Sequence, residues 1–317
     1  MKKVIISLLM VMLGMSIYGG SVFAAEKWAM GCSGAGSGPY NYGAAITNVL
    51  NKHQSAIRFS AQATAGYNEN VELVSSGTME IAMQQLAGLL DAYGGRMAFK
   101  GHPHKRLRLM FPMAMAVYHV VTREAANIKT IYDLKGKKMN ISLPAQTTRT
   151  MTETFLKCAN INLTEIKAFE MATGQTFKAL QDGVIDATGN AYSAPHGRLL
   201  ELATNTRIRI LNIPDEVIDR FVEIRGISPN YTIPSNTYPG QAEPVKTFAV
   251  FDVFFARDDQ PEDQVYIVTK AFWDNLNELK KIPGLKDLKM EYAYSEKSKV
   301  PYHPGSLRYY KEIGLLK

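Results

Sequence analysis

Short apolar runs alternate with amphipathic stretches along almost the whole chain, and this alternation limits the possible folds more than any single motif. "WAMGC", "IRFSAQA", "EIAMQQ", "VYHVVT", "KKMNIS", "IDATGN" and "TFAVFDVFFA" are bounded apolar runs of strand length. "NYGAAITNVLNKH", "ENVELVSSG", "TRTMTETFLKCAN", "TFKALQDG" and "DQVYIVTKAFWDNLNEL" carry apolar residues at three- and four-residue spacing, the pattern of helices that cover one side of a sheet. Strand–helix alternation predicts parallel sheets and an α/β class. With 317 residues, 46% of them hydrophobic, the chain has apolar material for one large core or two moderate ones.

Two internal echoes favour two. "VELVSSGTMEIAMQQ" holds a helix, Gly77, Glu80 and a strand ending in Gln84 and Gln85, and "FKALQDGVIDATGN" repeats the design with Gly183, Asp186 and Asn190. Both glycines are expected to end their helices in the left-handed conformation. "WAM" with its glycine loop and helix is echoed by "KKMNIS", "LPAQTTRT" and its helix. Ligands of open parallel sheets bind beyond the carboxyl ends of strands, so two such halves facing each other make a cleft. If the chain crosses near "VYHVVT" and returns near "FAVFDVFFA", lobe 1 is discontinuous, at 26–117 and 249–317, and lobe 2 is 118–248. "SPNYTIPSNTYPGQAEP" reads as an extended surface connection.

The first residues read as a secretory leader. Lys2 and Lys3 precede the uncharged "VIISLLMVMLGMSI" and a small-residue site, with cleavage expected after Ala24. The apolar stretch is shorter than the roughly 20 residues of a spanning helix, so the mature chain is expected in the periplasm. Without the two leader lysines the formal charge falls from +7 to +5 and is scattered along the chain. That distribution, with no basic–aromatic platform, speaks against nucleic acid. Cys32 and Cys158 are the only cysteines, and although the compartment permits a disulfide, they read as unpaired thiols.

"GCSGAGSGPY", residues 31–40, lies between a strand and a helix. Its glycines do not follow G-x-G-x-x-G and no acidic residue ends the next strand, which argues against a dinucleotide site. Ser33 and Ser37 do not sit in G-x-S-x-G, and no metal-spaced histidines appear, so a hydrolase is a minor alternative and no cofactor is expected. What remains is a helix N-terminus whose N–H groups and small side chains suit an anion such as a carboxylate. "PAQTTRT" offers a second such start. Arg149 in it could pair bidentately with a carboxylate or form a salt bridge within its own half.

At this point the chain resembles the TAXI-type solute-binding proteins of TRAP transporters. The likeness is carried by the glycine loop through "YNYGAAITNVLNKH", by "QATAGYNENVELVSSGTMEIAMQQ", "DAYGGRMAFKG", "DLKGKKMNIS" and "ALQDGVIDA", and most specifically by "TIPSNTYPGQ" and "HPGSLRYYKEIG". It implies a two-lobed, type II-like periplasmic binding protein, monomeric and not an enzyme, with a ligand cleft between lobes joined by hinge strands. It also implies a small carboxylate ligand, glutamate-like or a related organic acid, delivered to TRAP permease subunits. A ligand sensor for a membrane signalling protein is the alternative use. Tyr40, Gly43, Gln85, Thr148 and Arg149 match the family's pattern, whereas Gly38, Pro39, Gln146 and Thr147 depart from it. Asn190 and Tyr192 fall where many relatives are apolar, and a histidine resembling His119 is common. The expected site is therefore the loop with Ser33, Gly36, Ser37 and Tyr40, opposed by Gln146, Thr147, Thr148 and Arg149. Gln85 and Asn190 supply amide hydrogen bonds, and Tyr40, Tyr67 and Tyr192 wall the cleft.

Overall fold

The computed structural model describes residues 25–144, 146–225, 230–296 and 298–316, so the leader read at 1–24 lies outside the described residues. The first half runs β1 (Glu26–Gly31), α1 (Gly38–His53), β2 (Ile57–Gln62), α2 (Tyr67–Ser76), β3 (Ile81–Gln85), α3 (Leu86–Gly94) and the long β4 (Leu107–Arg123). Then come β5 (Lys138–Asn140), α4 (Thr147–Cys158), β6 (Lys167–Phe169), α5 (Thr173–Gln181), β7 (Ala187–Tyr192), α6 (Gly197–Asn205), β8 (Ile208–Ile210) and α7 (Asp215–Arg225). β9 (Asn230–Ile233), β10 (Val245–Arg257), α8 (Glu262–Asp274), α9 (Leu276–Leu279) and α10 (Pro304–Glu312) complete the chain.

The strands form one continuous sheet in the order β2-β1-β3-β10-β4-β7-β5-β6, with β8 on β4 and β9 on β10. The outer pairs β1–β2, β1–β3, β5–β6 and β5–β7 are parallel, as the alternation predicts. The centre is not: β10 runs antiparallel to both β3 and β4, and β7 antiparallel to β4. The expected parallel pairing thus holds in the outer parts of the sheet and gives way to antiparallel pairing at its centre. The two longest strands lie side by side in opposite directions because the chain leaves the first half on one and returns on the other. Met110 and Met113 of β4 are extra residues against β10, where the register shifts. Such bulges bend the strand and increase its twist.

Four apolar clusters lie along this sheet. Phe254 and Ala256 of β10 belong to a cluster with Trp28, Ile46, Phe111, Phe272 and Trp273, whereas Phe248 and Val250 belong to another with Tyr118, Met139, Phe155 and Phe221. Alternation along the strand puts the residues between them to the other side, where Phe251, Val253 and Phe255 join Val71, Leu89 and Leu107. A fourth cluster gathers Val117, Phe177, Leu180, Tyr192, Leu199 and Tyr238. Both β4 and β10 thus thread clusters built from the early and late segments and clusters built from the middle of the chain.

The helix–glycine–acid echo is structural. Gly77 and Gly183 have φ of +79° and +74°. The Glu80 carboxylate accepts the Ala29 N–H at 2.7 Å, and the Asp186 carboxylate accepts the Lys138 N–H at 3.0 Å, so each ties its own strand to the neighbouring parallel strand. An arginine lies over each glycine, Arg257 in the first half and Arg123 in the second.

Several local expectations change. "DQVYIVTKAFWDNLNEL" is two helices interrupted at Asn275. The stretch read as a surface connection contains β9, and its Tyr238 is only 2% exposed. The reason is a polar bridge. The Nδ1–H of His119 donates to the Val117 carbonyl at 2.7 Å, leaving Nε2 to accept from the Tyr238 hydroxyl at 3.0 Å. That hydroxyl accepts the His196 N–H at 3.1 Å. Burial pushes the His119 pKa down to about 4, which keeps the ring neutral. Cys32 and Cys158 are both free and buried, and burial pushes the Cys32 thiol up to about 12.

An L side chain at either echo glycine would be strained by the left-handed backbone and would press on an arginine. Gly77→Ala and Gly183→Ala should each cost about 1–2 kcal/mol, read as lowered urea midpoints with unchanged slopes.

Candidate functional site

Two strand ends meet head-on over the central pair. β3 ends at Gln85, whose register partner is Asp252 of β10, itself opposite Ala114 of β4. β7 ends at Tyr192, opposite Val117 of β4. β3 points along β4 and β7 points against it, so their carboxyl ends face one another across three residues of β4. At strand rise that gap is about 10 Å.

On the first side, β1 leads into the glycine loop. Ser37 N–H bonds the Gly34 carbonyl at 3.0 Å and Gly36 has φ +76°, which closes a tight turn. The Ser37 hydroxyl accepts the Tyr40 N–H at 3.2 Å and so caps α1, with Pro39 in its first turn. The Ser33 carbonyl receives the Thr64 N–H at 3.2 Å. Gly36 is exposed, Ser33 and Ser37 are half-buried, and Tyr40 packs partly on the first cluster. The Ser37 hydroxyl is thus engaged within the loop, while the Gly36 backbone stays open.

Tyr67, at the start of α2, points to a group that sequence reasoning missed. Its hydroxyl donates to Asp252 Oδ2 at 2.8 Å, and the Tyr42 hydroxyl of α1 donates to the same oxygen and lies 3.0 Å from that of Tyr67. Asp252 is 7% exposed. Burial raises its pKa from 3.8 to about 6, against the opposing pull of the two tyrosine hydrogen bonds. A lone acid inside "FAVFDVFFA" was the signal available in the sequence, since an unpaired charge is rarely buried in a strand without a purpose.

On the second side, Gln146 precedes α4 and its buried Oε1 has no hydrogen-bond partner among the described residues. Thr147, Thr148 and Arg149 form the half-buried first turn. Arg149 donates to Glu153, to Glu170 at 2.6 Å and to the Ser142 carbonyl at 3.3 Å, all within its own half. Of the two roles open to this guanidinium, the internal salt bridge is the one occupied. Asn190 is buried opposite His119, its Oδ1 turned back to the Ala191 N–H at 2.8 Å. Tyr192 is buried and stacks on His196 with ring centroids 4.6 Å apart.

A cavity of about 410 Å³ opens between the two sides, lined by Gly88, Asp91 and Phe99 from the first and by Thr147, Arg149 and Arg225 from the second. At its edge Arg225 of α7 donates to Asp91 of α3 at 2.7 Å, and both side chains are at most 6% exposed. Arg96 reaches the other Asp91 oxygen at 3.2 Å from a half-exposed position. No sequence signal marks this pair, which joins residues 134 apart. Thr147 and Arg149 thus line this open cavity, while Gln85 and Asp252 lie where β3 ends.

Two measurements follow. Arg225→Ala leaves Asp91 buried without its main partner and should cost about 3 kcal/mol in urea unfolding, whereas the half-exposed Arg96→Ala should change stability by about 1 kcal/mol or less. For Asp252 the sign runs against the usual carboxylate. A folded pKa raised from 3.8 to about 6 means stability present below 3.8 and lost as pH rises through 6. Between pH 4 and 7.5 the loss amounts to about 2 kcal/mol, and an Asp252→Asn variant compared with the parent at both pH values should lack it.

Comparison with known proteins identifies the fold. A structure from work on glutathione import in Gram-positive bacteria through GshT and the cystine ABC importer TcyBC of Streptococcus mutans matches with a TM-score of 0.52 at 14% identity, over 86% of this chain and 99% of that one. The probable amino-acid ABC transporter extracellular-binding protein YtmK of Bacillus subtilis matches at 0.50 and 13%, over 84% and 100%. A periplasmic sulfonate-binding protein of Methylobacillus flagellatus matches at 0.50 and 13%, over 92% and 88%. At such identities the likeness is one of fold: the α/β, two-lobed, type II-like architecture of solute-binding proteins. A model of the NMT1-like family spans residues 30–314, and the protein belongs to that family.

Proposed function

We propose that the protein is an extracytoplasmic solute-binding protein that captures a small carboxylate between two lobes and delivers it to a TRAP-type membrane permease. The observation that carries this reading is the meeting of the β3 and β7 ends across the β4–β10 pair, with a helix start flanking the gap on each side. In this reading lobe 1 comprises 26–117 and 249–317, lobe 2 comprises 118–248, and β4 and β10 are the hinge. The Ser33, Gly36, Ser37 and Tyr40 loop meets the ligand from one lobe, and Gln146, Thr147, Thr148 and Arg149 meet it from the other. Gln85 and Asn190 bond its polar groups, and Tyr67 and Tyr192 close its flanks. Ligand completes contacts from both lobes only when they close, so binding shifts the population toward the closed form.

The TRAP assignment is supported by "TIPSNTYPGQ" and "HPGSLRYYKEIG" in their order and spacing. The solved neighbours named above are described with ABC systems, a likeness of fold. Export is supported by the leader pattern, and among the described residues no helix is long and apolar enough to cross a membrane. Thermal unfolding of refolded, ligand-stripped mature protein against amino acids, dicarboxylates, 2-oxo acids and aromatic acids tests the reading. Ligand at 100 times its Kd adds about 2.7 kcal/mol. A saturable shift with one carboxylate class is expected, and no shift across the panel would overturn the carboxylate reading.

A further inference from the structure

Two acids are buried to less than a tenth exposure among the described residues, Asp91 and Asp252. They are treated very differently. Asp91 has a buried arginine at 2.7 Å and a second at 3.2 Å, so its charge is paired although its own Oδ1 also has no hydrogen-bond partner among the described residues. Asp252 has no ion pair among the described residues. Its Oδ2 takes both tyrosine hydroxyls, and its Oδ1, equally buried, has no hydrogen-bond partner there. Buried polar atoms in folded proteins are almost always satisfied, and a charged one without a donor is among the most costly of all groups to keep. Of the two buried acids, Asp252 is the one for which the described residues supply neither a counter-charge nor a donor to Oδ1.

Its position says where that donor comes from. On β10, Val250 and Phe254 flank Asp252 on the same side of the sheet and belong to different apolar clusters. Asp252 is thus the polar residue at the seam between two cores, level with Gln85 at the end of β3. Three residues along β4, the end of β7 begins the opposite side. A water would satisfy the hydrogen bond but not the charge. A ligand ammonium satisfies both, with three N–H donors and a full positive charge.

We propose that Asp252 Oδ1 is the cation subsite of the cleft, and that the ligand carries an ammonium group as well as a carboxylate. This deepens the preceding reading and rests on it for the anionic end alone. Tyr42 and Tyr67 are positioning residues that hold the carboxyl so that one oxygen is spent on the protein and the other kept for the ligand. The ligand class is then the amino acids, not the dicarboxylates or 2-oxo acids.

The test uses refolded mature protein and matched probes that differ in one group: glutamate and glutarate, aspartate and succinate, alanine and propionate, with putrescine as an amine lacking carboxylate. Dissociation constants are measured by calorimetry for the parent and for Asp252→Asn, each checked for a cooperative unfolding transition. The aminated member of at least one pair should bind tenfold or more tighter than its partner, and the Asn variant should remove that preference while leaving the partner's weaker binding in place. Should the Asn variant not fold, Tyr42→Phe removes one of the two hydroxyls that hold the carboxyl and should weaken binding of the aminated member more than that of its partner, and an undiminished preference would overturn the proposal. Equal binding within every pair, or a preference unchanged in the Asn variant, would overturn the proposal while leaving the carboxylate reading intact. Binding of putrescine alone, lost in the Asn variant, would support the subsite and overturn the carboxylate reading. Absence of all binding would overturn both. Saturable stabilisation by sodium ions, lost in the Asn variant, would assign the oxygen to a metal ion and overturn the ammonium proposal.

Discussion

The pairing of β4 with β10 is the constraint on which the rest of the structure depends. These strands contribute to all four apolar clusters, and each passes from clusters made of early and late residues to clusters made of the middle of the chain. Their side chains are almost all buried. The apolar area they remove from water, at about 25 cal/mol per Å², ties both halves of the molecule to one spine. Because β3 and β7 attach to opposite ends of that spine and point toward one another, the cleft follows from the pairing itself. The bulges at Met110 and Met113 fall on the first-half side of the gap, and bulges of this kind bend a strand and increase its local twist.

Around the spine the two halves use one local device. A helix ends at a left-handed glycine, an acid takes the N–H of the adjacent parallel strand, and an arginine from the end of a long strand covers the glycine. The arginines are Arg123, which ends β4, and Arg257, which ends β10. The spine is thus fastened at both ends by the same chemistry. This places the polar strand ends at the centre of the molecule and the glycine turns at its periphery.

Charge inside the molecule divides between holding and waiting. Asp91 and Arg225 form an ion pair, and in a low-dielectric setting such a pair is costly to break from either side. Arg149 is similarly occupied by Glu153 and Glu170, so its guanidinium shapes the first turn of α4. Asp252 is the exception. Two tyrosine hydroxyls hold the carboxyl by one oxygen, and burial pushes its pKa upward. A protein that kept such a group purely for stability would be better served by an apolar residue of the same volume.

Periodicity made the main strands and helices legible, because each buries one side and its spacing records that burial. The echo of Gly77 and Gly183 was legible too, since only glycine adopts that backbone freely. Short strands such as β6 and β8 left no pattern, having three residues each. The direction of the central strands was invisible, because a fully buried run reads alike in parallel and antiparallel sheets. At the candidate site the sequence identified the glycine loop, Gln85 and the α4 start by their position after strands. It did not join Asp252 to Tyr42 and Tyr67, or Asp91 to Arg225. These contacts span from 134 to 210 residues and exist only once the spine has brought distant segments together. The sequence by itself determined which segments would be strand, helix and turn, because those are local demands of burial and backbone. Only the tertiary structure decided which buried acid meets an arginine and which meets tyrosine hydroxyls, because partnership is a matter of position in space.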